Sequence, residues 1–573
     1  MTTMEWRQAR SATGLLRTFT EVQVLESSDV HVAQTLTTLA KETDETVALA
    51  VAMAVRALRN GSVCVDLRSV EQQVGIDGLP WPHIDAWLGA VQASTLTNTP
   101  PVLHLDGDLL YLDRYWLEEQ QVCDDVLTMV AVKPAEVSPN IDRLFPKGFE
   151  EQRAAAEVAL SQGLTVLTGG PGTGKTTTVA RLLALLASGT RLRIALAAPT
   201  GKAAARLQEA VQMEVEKLDP ADRDALTGMH ATTLHRLLGS RPDTSARFRH
   251  NRGNRLPHDV IVVDETSMVS LTMMARLLEA VRPDARLILV GDPDQLASVE
   301  AGAVLADLVD GLGNTRIAEL TTSHRFGESI GKLASAIREG NADSVIEVLR
   351  AGGEHIEWIE SDEPSEHLRK ALLPRAIELR QAAVLGNETV ALATLDEHRL
   401  LCAHRRGPFG VRYWNHQVER WLAETTGEPI WSSWYPGRPV LVTANDYGLG
   451  LYNGDTGVTV LRDGVLRAVI AGSEPLEFAT SRLADVETMH AMTIHKSHGS
   501  QAKEVTVLMP PEDSRLLTRE LFYTAVTRAK EKIRVVGAAA AVRGAVERRA
   551  VRASGLGRRL RDGPVTAKPP SKP

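Results

Sequence analysis

Cysteine, aromatic residues and long apolar runs are all scarce in this chain of 573 residues. Its cysteines, Cys64, Cys123 and Cys402, are too few and too scattered for a disulfide framework or for a zinc or iron–sulfur site. Aromatic residues make up only 4% of the chain, so extensive stacking on nucleic-acid bases is not expected. The best candidate for a membrane span, residues 47–55, ends at Arg56 and is too short to cross a bilayer, which makes it a buried helix. No signal peptide is recognisable, and we predict a cytoplasmic protein with no membrane partner.

The chain also lacks an overall positive charge. Lys and Arg number 64 against 72 Asp and Glu, a formal net charge of −8, so any contact with nucleic acid must be a local groove. The apolar share of 43% is typical of a soluble globular protein, and the length favours about three to five domains. Residues 541–573 depart from this average because they are rich in Arg, Lys and Pro. We predict a basic, disordered tail there, more often solvated than bound to nucleic acid or to an acidic partner.

A phosphate-binding loop is the strongest motif in the sequence. Residues 169–177 are Gly-Gly-Pro-Gly-Thr-Gly-Lys-Thr-Thr, between the apolar residues 164–168 and the helix-like residues 179–186. The glycines let backbone N–H groups converge on an anion, Lys175 meets the β- and γ-phosphates of a nucleoside triphosphate, and the Thr176 hydroxyl meets Mg²⁺. The order of strand, loop and helix favours this interpretation over an ordinary glycine turn. The predicted nucleotide-binding residues of the loop are Gly169, Gly170, Pro171, Gly172, Thr173, Gly174, Lys175, Thr176 and Thr177.

Strand-like and helix-like segments alternate after about residue 140, which is typical of parallel α/β sheets. Because the carboxyl ends of parallel strands share one edge of a sheet, the polar loops that follow these strands are expected to converge. The predicted strands of the first unit are residues 165–168, 194–197, 260–263 and 287–290. The predicted fold class is therefore α/β with two parallel-sheet units, a helical N-terminal domain and a small β insertion.

The chain divides into four predicted parts. A mostly helical region without chemical motifs is interpreted as an interaction domain. Turn-forming residues and alternating apolar positions inside the second α/β unit favour a small β-barrel or sandwich. The parts are residues 1–140 for the N-terminal domain, 141–316 for the first unit with a short excursion at 239–259, 317–540 for the second unit with the insertion at 429–486, and 541–573 for the tail.

Two acidic residues, Asp264 and Glu265, follow the apolar residues 260–263. Beside a phosphate-binding loop, Asp264 is expected to hold Mg²⁺, and Glu265 to orient or deprotonate the attacking water. Asp264 also suits a plain helix cap. The loop upstream favours the catalytic role, so we predict that both carboxylates act on the nucleotide.

Three further polar residues are candidates for contact with the γ-phosphate. Gln295, in Gly-Asp-Pro-Asp-Gln-Leu, would lie beside this phosphate and sense its presence, or else make only local turn bonds. Arg325 and Arg528 lie in the second unit and are candidate arginine fingers, which neutralise transition-state charge and make domain closure depend on the nucleotide. Either arginine alone would more often be a surface ion pair, and the surrounding motifs favour the catalytic role.

The ordered set of motifs resembles the superfamily 1 helicases, and among them the RecD family of subunits of exodeoxyribonuclease V (RecBCD). The motifs together span about residues 150–540. They are Gly-Gly-Pro-Gly-Thr-Gly-Lys-Thr at 169–176, Ala-Pro-Thr-Gly-Lys-Ala-Ala-Ala-Arg-Leu at 198–207, Thr-Leu-His-Arg-Leu-Leu at 233–238, Val-Asp-Glu-Thr-Ser-Met at 263–268, Gly-Asp-Pro-Asp-Gln-Leu at 291–296, Met-Thr-Ile-His-Lys-Ser-His-Gly-Ser-Gln at 492–501 and Tyr-Thr-Ala-Val-Thr-Arg-Ala at 523–529.

The resemblance implies two RecA-like motor domains with ATP and Mg²⁺ between them, and translocation on single-stranded DNA from 5′ to 3′. It implies a heterotrimer with RecB- and RecC-like subunits, in which residues 1–140 bind the partners. It also implies that Gln152 recognises adenine, that residues 239–259 form a strand-separating hairpin, and that residues 429–486 form an SH3-like barrel beside the DNA.

The loops of these motifs also outline a path for DNA. Hydroxyls, backbone amides and cations suit phosphates, while His235, His495 or Tyr452 can stack on bases, although each histidine alone is more often a structural hydrogen-bonder. Backbone tracking without base recognition predicts weak sequence preference and strong salt dependence. The predicted DNA-binding residues are Pro199, Thr200, Lys202, Thr233, His235, Thr493, His495, Lys496 and Ser497.

Several functions remain open at this point. The leading hypothesis is an ATP-driven motor on single-stranded or duplex-end DNA, within a RecBCD-type helicase-nuclease that repairs double-strand breaks by recombination. The alternatives are a stand-alone RecD-like helicase, an RNA-directed helicase and a nucleotide-switched regulatory subunit. The presence of both Glu265 and Arg528 counts against the last of these, since a pure binding module needs neither. No nuclease-like cluster of carboxylates and lysine is recognisable, so nuclease activity is expected in a partner subunit.

Overall fold

Two parallel sheets, an N-terminal helical region and an antiparallel insertion make up the chain. The structure is a computed structural model, and it describes residues 9, 11–98, 100–132, 140–188, 191–241, 244–313, 316–322, 328–361, 363–446, 448–472 and 474–563. Among the helices in these ranges, none is long and apolar enough to cross a membrane.

The N-terminal region is mainly helical, as predicted, and also holds a small antiparallel sheet of order β1-β3-β2. Its central helix begins where the Asp44 side chain accepts a hydrogen bond from the Thr46 amide at 2.8 Å. The apolar residues 47–55 lie inside this helix, and most of them are fully buried. The elements are α1 (Gly14–Glu21), α2 (Ser27–Ala40), α3 (Glu45–Arg59), β1 (Val65–Asp66), α4 (Val70–Val74), α5 (Ile84–Ala93), β2 (Leu103–Asp106), β3 (Leu109–Leu112) and α6 (Asp113–Ala131).

The first parallel-sheet domain, which we call the first motor domain after the resemblance stated above, has six strands in the order β11-β4-β10-β9-β5-β6. Its central strands are uniformly buried, because helices cover both faces of a parallel sheet. The elements are α7 (Ile141–Leu144), α8 (Glu150–Ser161), β4 (Leu164–Gly169), α9 (Lys175–Ala187), β5 (Ile194–Ala198), α10 (Gly201–Val215), α11 (Pro220–Ala225), β6 (Ala231–Thr233), α12 (Leu234–Leu238), β7 (Ser240–Arg241), β8 (Thr244–Phe248), β9 (Val260–Val263), α13 (Leu271–Ala280), β10 (Arg286–Gly291), α14 (Val304–Leu312) and β11 (Ile317–Leu320).

Two predicted domain boundaries need correction. Strand β11 pairs in parallel with β4, so the first domain extends through Leu320 and does not end at residue 316. Helix α6 lies inside the predicted N-terminal domain, yet it packs on the core of the first sheet through Val122, Val126 and Met129. The physical reason is the same in both cases, since an apolar strand or helix face joins the nearest core that buries it. The excursion at 239–259 does form a hairpin, from β7 and β8.

The second motor domain has a five-stranded sheet of order β12-β21-β20-β13-β19, parallel at every pair. Within the chain order it is interrupted by the β insertion, which supplies β14 to β18. The elements are α15 (Glu328–Glu339), α16 (Ala342–Ala351), β12 (Ile356–Ile359), α17 (Ser365–Val384), α18 (Glu388–Glu397), β13 (His398–Cys402), α19 (Val411–Thr426), β14 (Pro439–Val442), β15 (Thr456–Arg462), β16 (Val465–Ile470), β17 (Leu476–Ala479), β18 (Val486–Thr488), β19 (Ala491–Thr493), β20 (Ala502–Leu508), α20 (Arg519–Val526), β21 (Ala529–Val536) and α21 (Ala539–Glu547).

The insertion is an antiparallel sheet of order β17-β16-β15-β14-β18. It has a small apolar core of its own, which includes Val440, Leu451 and Ile470. The turn at Asp463–Gly464 joins β15 to β16, where both residues have positive φ. An antiparallel β insertion is therefore present at the predicted place, while its closure into an SH3-like barrel stays a prediction.

The predicted disorder of the tail is wrong for residues 541–563. Helix α21 continues to Glu547, and a final helix, α22 (Leu556–Asp562), packs Leu556 and Leu560 into the core of the first motor domain. Arginine side chains that suggested a solvated tail instead make internal bonds, as Arg559 does with Glu119. The remaining residues, 564–573, lie outside the described residues.

Removing the Arg559 guanidinium is expected to destabilise this junction. Its Nε donates to the Glu119 carboxylate at 3.0 Å, its guanidinium lies 3.8 Å from the centre of the Trp116 ring, and the Glu119 side chain is fully buried. Arg559→Ala leaves that carboxylate without its cation, so urea unfolding should show a loss of about 3–5 kcal/mol. Arg558→Ala, at an exposed pair with Asp106, should cost less than about 1 kcal/mol. Equal losses in the two variants would contradict the assignment.

Candidate functional site

The phosphate-binding loop joins β4 to α9, as the sequence predicts. Gly172 and Gly174 have φ angles of 84° and 86°, a region that side chains disfavour. A Cβ added at Gly169 would lie 2.6 Å from the Leu320 carbonyl oxygen, so this position has no room for a side chain. Lys175 begins α9, and its Nζ donates to the carbonyl oxygen of Gly170 at 2.9 Å. The loop therefore has the backbone form that a triphosphate cradle needs.

The acidic pair lies at the end of β9, in the same cleft as this loop. Burial, together with the neighbouring Glu265 carboxylate, raises the pKa of Asp264 to about 6. Burial also opposes ionisation of Glu265, but the His498 imidazole and the Arg528 guanidinium outweigh it and lower the pKa of Glu265 below its usual value. Glu265 has a φ of 52°, a left-handed conformation that costs a non-glycine residue about 1–2 kcal/mol. Such strain is retained where the surroundings hold a residue in place.

A hydrogen-bond network crosses the cleft between the two motor domains. The Arg528 guanidinium, from the second domain, donates to the Gln295 side-chain oxygen at 2.8 Å. Gln295 in turn donates to the Asp292 carboxylate at 2.9 Å, and the Tyr523 hydroxyl donates to the same carboxylate at 3.1 Å. Burial lowers the pKa of Arg528 to about 10, so the guanidinium still carries its charge at neutral pH. The structure thus joins the predicted γ-phosphate sensor directly to a predicted arginine finger.

The cleft has a volume of about 830 Å³, and residues of both domains line it. Gln152, Phe149 and Arg181 are among them, with the Arg181 guanidinium 4.0 Å from the centre of the Phe149 ring. A planar ring beside a glutamine amide suits a purine base. The cleft is lined by Gly148, Phe149, Gln152, Pro171, Gly172, Gly174, Lys175, Thr176, Thr177, Arg181, Ala203, Arg206, Leu207, Ala210, Met213, Glu214, Lys217, Asp264, Glu265, Asp292, Gln295, Gln501 and Arg528.

The second predicted finger, Arg325, lies outside the described residues. The chain leading to it is held by Glu151, the neighbour of Gln152. The Glu151 carboxylate accepts hydrogen bonds from the Thr321 amide at 3.0 Å and from the Thr322 amide at 3.1 Å. Thr321 and Thr322 are therefore tied to α8, the helix that also carries Gln152.

Several predicted DNA-binding hydroxyls already cap backbone groups. The Thr200 hydroxyl accepts from the Ala203 amide at 3.2 Å, and the Thr233 hydroxyl accepts from the Arg236 amide at 3.2 Å. Thr493 makes the same kind of bond to the Lys496 amide, also at 3.2 Å. An accepting hydroxyl keeps its own proton for another acceptor, so these three residues stay candidates for phosphate contact. Pro199 lies with Thr200 in the loop between β5 and α10.

The lysine and histidine side chains that we predicted to contact DNA are more buried or more fully paired than the sequence suggested. Burial, together with Arg399, lowers the pKa of Lys202 to about 8, and the Lys496 ammonium is paired with Glu487 at 2.9 Å. Burial also lowers the pKa of His495 to about 4, so this ring is neutral at pH 7. His235 packs edge-on against Phe248 of the hairpin, with ring centres 5.7 Å apart. All four stay predictions as DNA contacts.

Ser497, the last of the predicted DNA contacts, is buried within its loop. Its side chain is buried, with the residue 1% exposed, and its hydroxyl donates to the Ile494 carbonyl at 2.7 Å. This hydroxyl closes the turn that follows β19, and it does not face solvent. The structure therefore gives Ser497 a structural role in the loop, and its contact with DNA stays a prediction.

Three candidate functional residues were not singled out from the sequence, although each of them lies within one of the motifs quoted above. They are His498, 3.7 Å from Glu265, Tyr523, bonded to Asp292, and Arg206, which lines the cleft. Each depends on a contact between segments distant in the sequence, which spacing along the chain does not reveal.

Two parallel-sheet domains with a phosphate-binding loop, an acidic pair and a cross-domain arginine define a P-loop motor of the helicase class. Comparison with known families supports this class. A family described as AAA domain matches residues 149–361, and one described as UvrD-like helicase C-terminal domain matches residues 488–536. The family described as RecBCD enzyme subunit RecD, N-terminal domain, matches residues 21–111.

Whole-chain relatives narrow the class further. RecBCD enzyme subunit RecD of Mycolicibacterium smegmatis is 73% identical over 96% of this chain and 99% of its own length. The subunit of the same name from Haemophilus influenzae is 33% identical over 79% of this chain and 80% of its own. ATP-dependent RecD2 DNA helicase of Deinococcus radiodurans is 30% identical, but the match covers 75% of this chain and only 56% of that protein. A crystal structure of Bacteroides Pif1 bound to single-stranded DNA is 18% identical, covers 67% of this chain and 91% of that one, and has a TM-score of 0.39.

The chain belongs to the RecD family of RecBCD enzyme subunits, which are superfamily 1 DNA helicases. The resemblance stated from the motifs is confirmed. Coverage of 99% of one RecD subunit against 56% of RecD2 favours the subunit over the stand-alone alternative.

Proposed function

We propose that this chain is a 5′ to 3′ motor on single-stranded DNA within a heterotrimer with RecB- and RecC-like subunits. The observation that supports it best is the bond from Arg528 to Gln295, because it joins the two motor domains across the cleft that we assign to the nucleotide. Closure of such a cleft on a nucleotide, and its opening after hydrolysis, moves the two DNA-facing surfaces relative to each other. Because the motor works on chromosomal DNA, we place it in the cytoplasm.

The residues of the cleft fit ATP with Mg²⁺. The Thr176 hydroxyl and the Asp264 carboxylate line the same cleft, and both are oxygen donors of the kind Mg²⁺ prefers. When bound, Mg²⁺ neutralises charge on the β- and γ-phosphates. Lys175 and the loop amides bind the phosphates, Glu265 orients the attacking water, and Arg528 neutralises charge from the second domain. Gln152 and Phe149 hold the base.

A regulatory subunit that only binds nucleotide is not favoured. Such a subunit has no use for Glu265 in the cleft or for an arginine from a second domain, and both line this cleft.

DNA is favoured over RNA as the substrate, because the chain belongs to a family of DNA helicases. Hydrolysis measured with matched DNA and RNA strands separates these substrates, and we expect stimulation by DNA. Nuclease activity of the assembly is assigned to a partner subunit.

The direction of movement along DNA is tested with two duplexes, one with a 5′ single-stranded tail and the other with a 3′ tail. We expect the chain, with its co-purified partners where it needs them, to unwind the 5′-tailed duplex in the presence of ATP and Mg²⁺. Lys175→Ala in this chain should remove that activity, which separates it from any motor in a partner subunit. Preferential unwinding of the 3′-tailed duplex by this chain would contradict the proposed direction.

A further inference from the structure

His498 lies buried at the boundary between the two motor domains. Its side chain is 2% exposed, and its Nε2 lies 3.7 Å from the Oε2 atom of Glu265. Within the described part of the chain, this Nε2 makes no hydrogen bond, which is costly for a buried polar atom. A buried ring nitrogen pointed at a catalytic carboxylate needs a functional explanation.

His498 belongs to the loop of residues 493–499, which we call the β19 loop. Hydrogen bonds inside the loop make it a rigid turn, because the Ser497 hydroxyl donates to the Ile494 carbonyl and the His498 amide donates to the His495 carbonyl at 3.3 Å. Gly499 follows with a φ of 73°, and its carbonyl accepts from Arg206 of the first domain at 3.4 Å. A displacement at the start of this loop is therefore carried to His498.

The same loop contains Thr493 and Lys496, two of the residues predicted to contact DNA. Thr493 ends β19, and Lys496 reaches the β insertion through its ion pair with Glu487. One end of the loop thus carries residues predicted to contact DNA, while His498 near the other end lies beside Glu265. Only a few residues separate the two ends.

We propose that His498 is a positioning residue through which DNA bound at the β19 loop orients Glu265 for hydrolysis. The inference rests on the proposed function, since it assigns a route for the stimulation of hydrolysis by DNA. A gap of 3.7 Å is longer than a hydrogen bond, whose usual length is about 2.7–3.2 Å. A shift of about 0.5–1 Å in the loop is enough to form the bond, and in a buried site that bond is stronger than it would be in water.

The surroundings of the Glu265 carboxylate also support a positioning role for His498. Glu265 has a strained backbone, and its carboxylate lies between an imidazole from the β19 loop and the Arg528 guanidinium. Both neighbours come from the second motor domain, so the orientation of this carboxylate depends on where that domain lies. A donor that holds one carboxylate oxygen leaves the other to accept a proton from water.

The test compares two substitutions at His498 in the full-length chain. His498→Phe keeps the ring volume but removes both nitrogens, whereas His498→Gln keeps a side-chain donor. We expect His498→Phe to lower the DNA-stimulated kcat by about 10- to 100-fold, with KM for ATP and the Kd for single-stranded DNA within about twofold of the unsubstituted chain. His498→Gln should recover most of this loss. His416→Ala, an exposed histidine on α19, serves as the control and should leave kcat unchanged.

Each other outcome overturns the inference. An unchanged kcat in His498→Phe removes the positioning role, and a parallel loss of DNA affinity makes His498 a DNA ligand instead. Equal losses in the Phe and Gln variants, with thermal unfolding midpoints like that of the unsubstituted chain, show that the donor does not matter. If His498→Phe does not fold, full loss of kcat in folded His498→Gln decides against the proposal. Failure of the proposed function itself shows differently, as hydrolysis by the unsubstituted chain that DNA does not stimulate.

Discussion

Replacing Arg528 with alanine is expected to lower DNA-stimulated ATP hydrolysis by about 10³- to 10⁵-fold, the range associated with loss of an arginine finger. In the structure this guanidinium is 3% exposed, remains charged at neutral pH, and donates to Gln295 of the other motor domain at 2.8 Å. Removal deletes the cation that the second domain brings to the cleft. It also breaks the hydrogen bond that joins the two domains across the cleft, and we expect kcat to fall more than KM for ATP rises.

Steady-state hydrolysis with saturating single-stranded DNA measures this effect. Arg420→Ala is a matched control, because this arginine on α19 is exposed and its ion pair with Glu424, at 3.6 Å, is weak. The control should keep the activity of the unsubstituted chain. Arg528→Ala that folds and retains hydrolysis within about tenfold would contradict the finger role. Gln295→Ala is then informative, since loss of the partner amide should reproduce part of the Arg528 effect.

Lys175→Ala should lower kcat by about 10²- to 10³-fold, the usual cost of removing one charge-stabilising donor from a transition state. The Lys175 ammonium lies inside the phosphate-binding loop, donating to the Gly170 carbonyl at 2.9 Å, and it is the loop's only cationic side chain. Folding should survive, because the loop conformation is set by the glycines and by burial of β4 and α9. DNA binding without nucleotide should survive as well, since other loops carry it.

Hydrolysis, thermal unfolding and DNA affinity together check this prediction. Lys503→Ala is the control, because this exposed lysine is not among the residues that line the cleft, and its ion pair with Glu397 is long, at 3.6 Å. Loss of DNA affinity in folded Lys175→Ala would mean that the phosphate-binding loop and the DNA path are not separate. Retained hydrolysis would mean that the chain hydrolyses ATP at another site.

The sequence was most informative where function depends on short spacing. The phosphate-binding loop and the Asp264–Glu265 pair each sit next to the strand that positions them, so local pattern was enough to place them in one cleft. The order of the strands within a parallel sheet cannot be predicted from such local patterns. Strand β11 joins the first sheet beside β4, although it follows the last predicted strand of that sheet by more than twenty-five residues.

The C-terminal segment shows a different difficulty. Its many arginines predicted solvation, but Leu556 and Leu560 lie four apart and form one apolar face of a short helix. Arginines of this segment pair with acidic residues far earlier in the chain, such as Glu119 and Asp310. Pairing of this kind is invisible from composition, because it depends on which distant residues the fold brings close.

DNA-dependent hydrolysis measures whether DNA and ATP are coupled in one motor. ATP hydrolysis is measured for the chain, alone and with its co-purified partners, with and without single-stranded DNA at low salt. The partner measurement is repeated with Lys175→Ala to isolate the contribution of this chain. We predict stimulation by DNA of about 5- to 150-fold, the usual range of coupling between two sites, and its loss in Lys175→Ala. Equal hydrolysis with and without DNA would contradict the account.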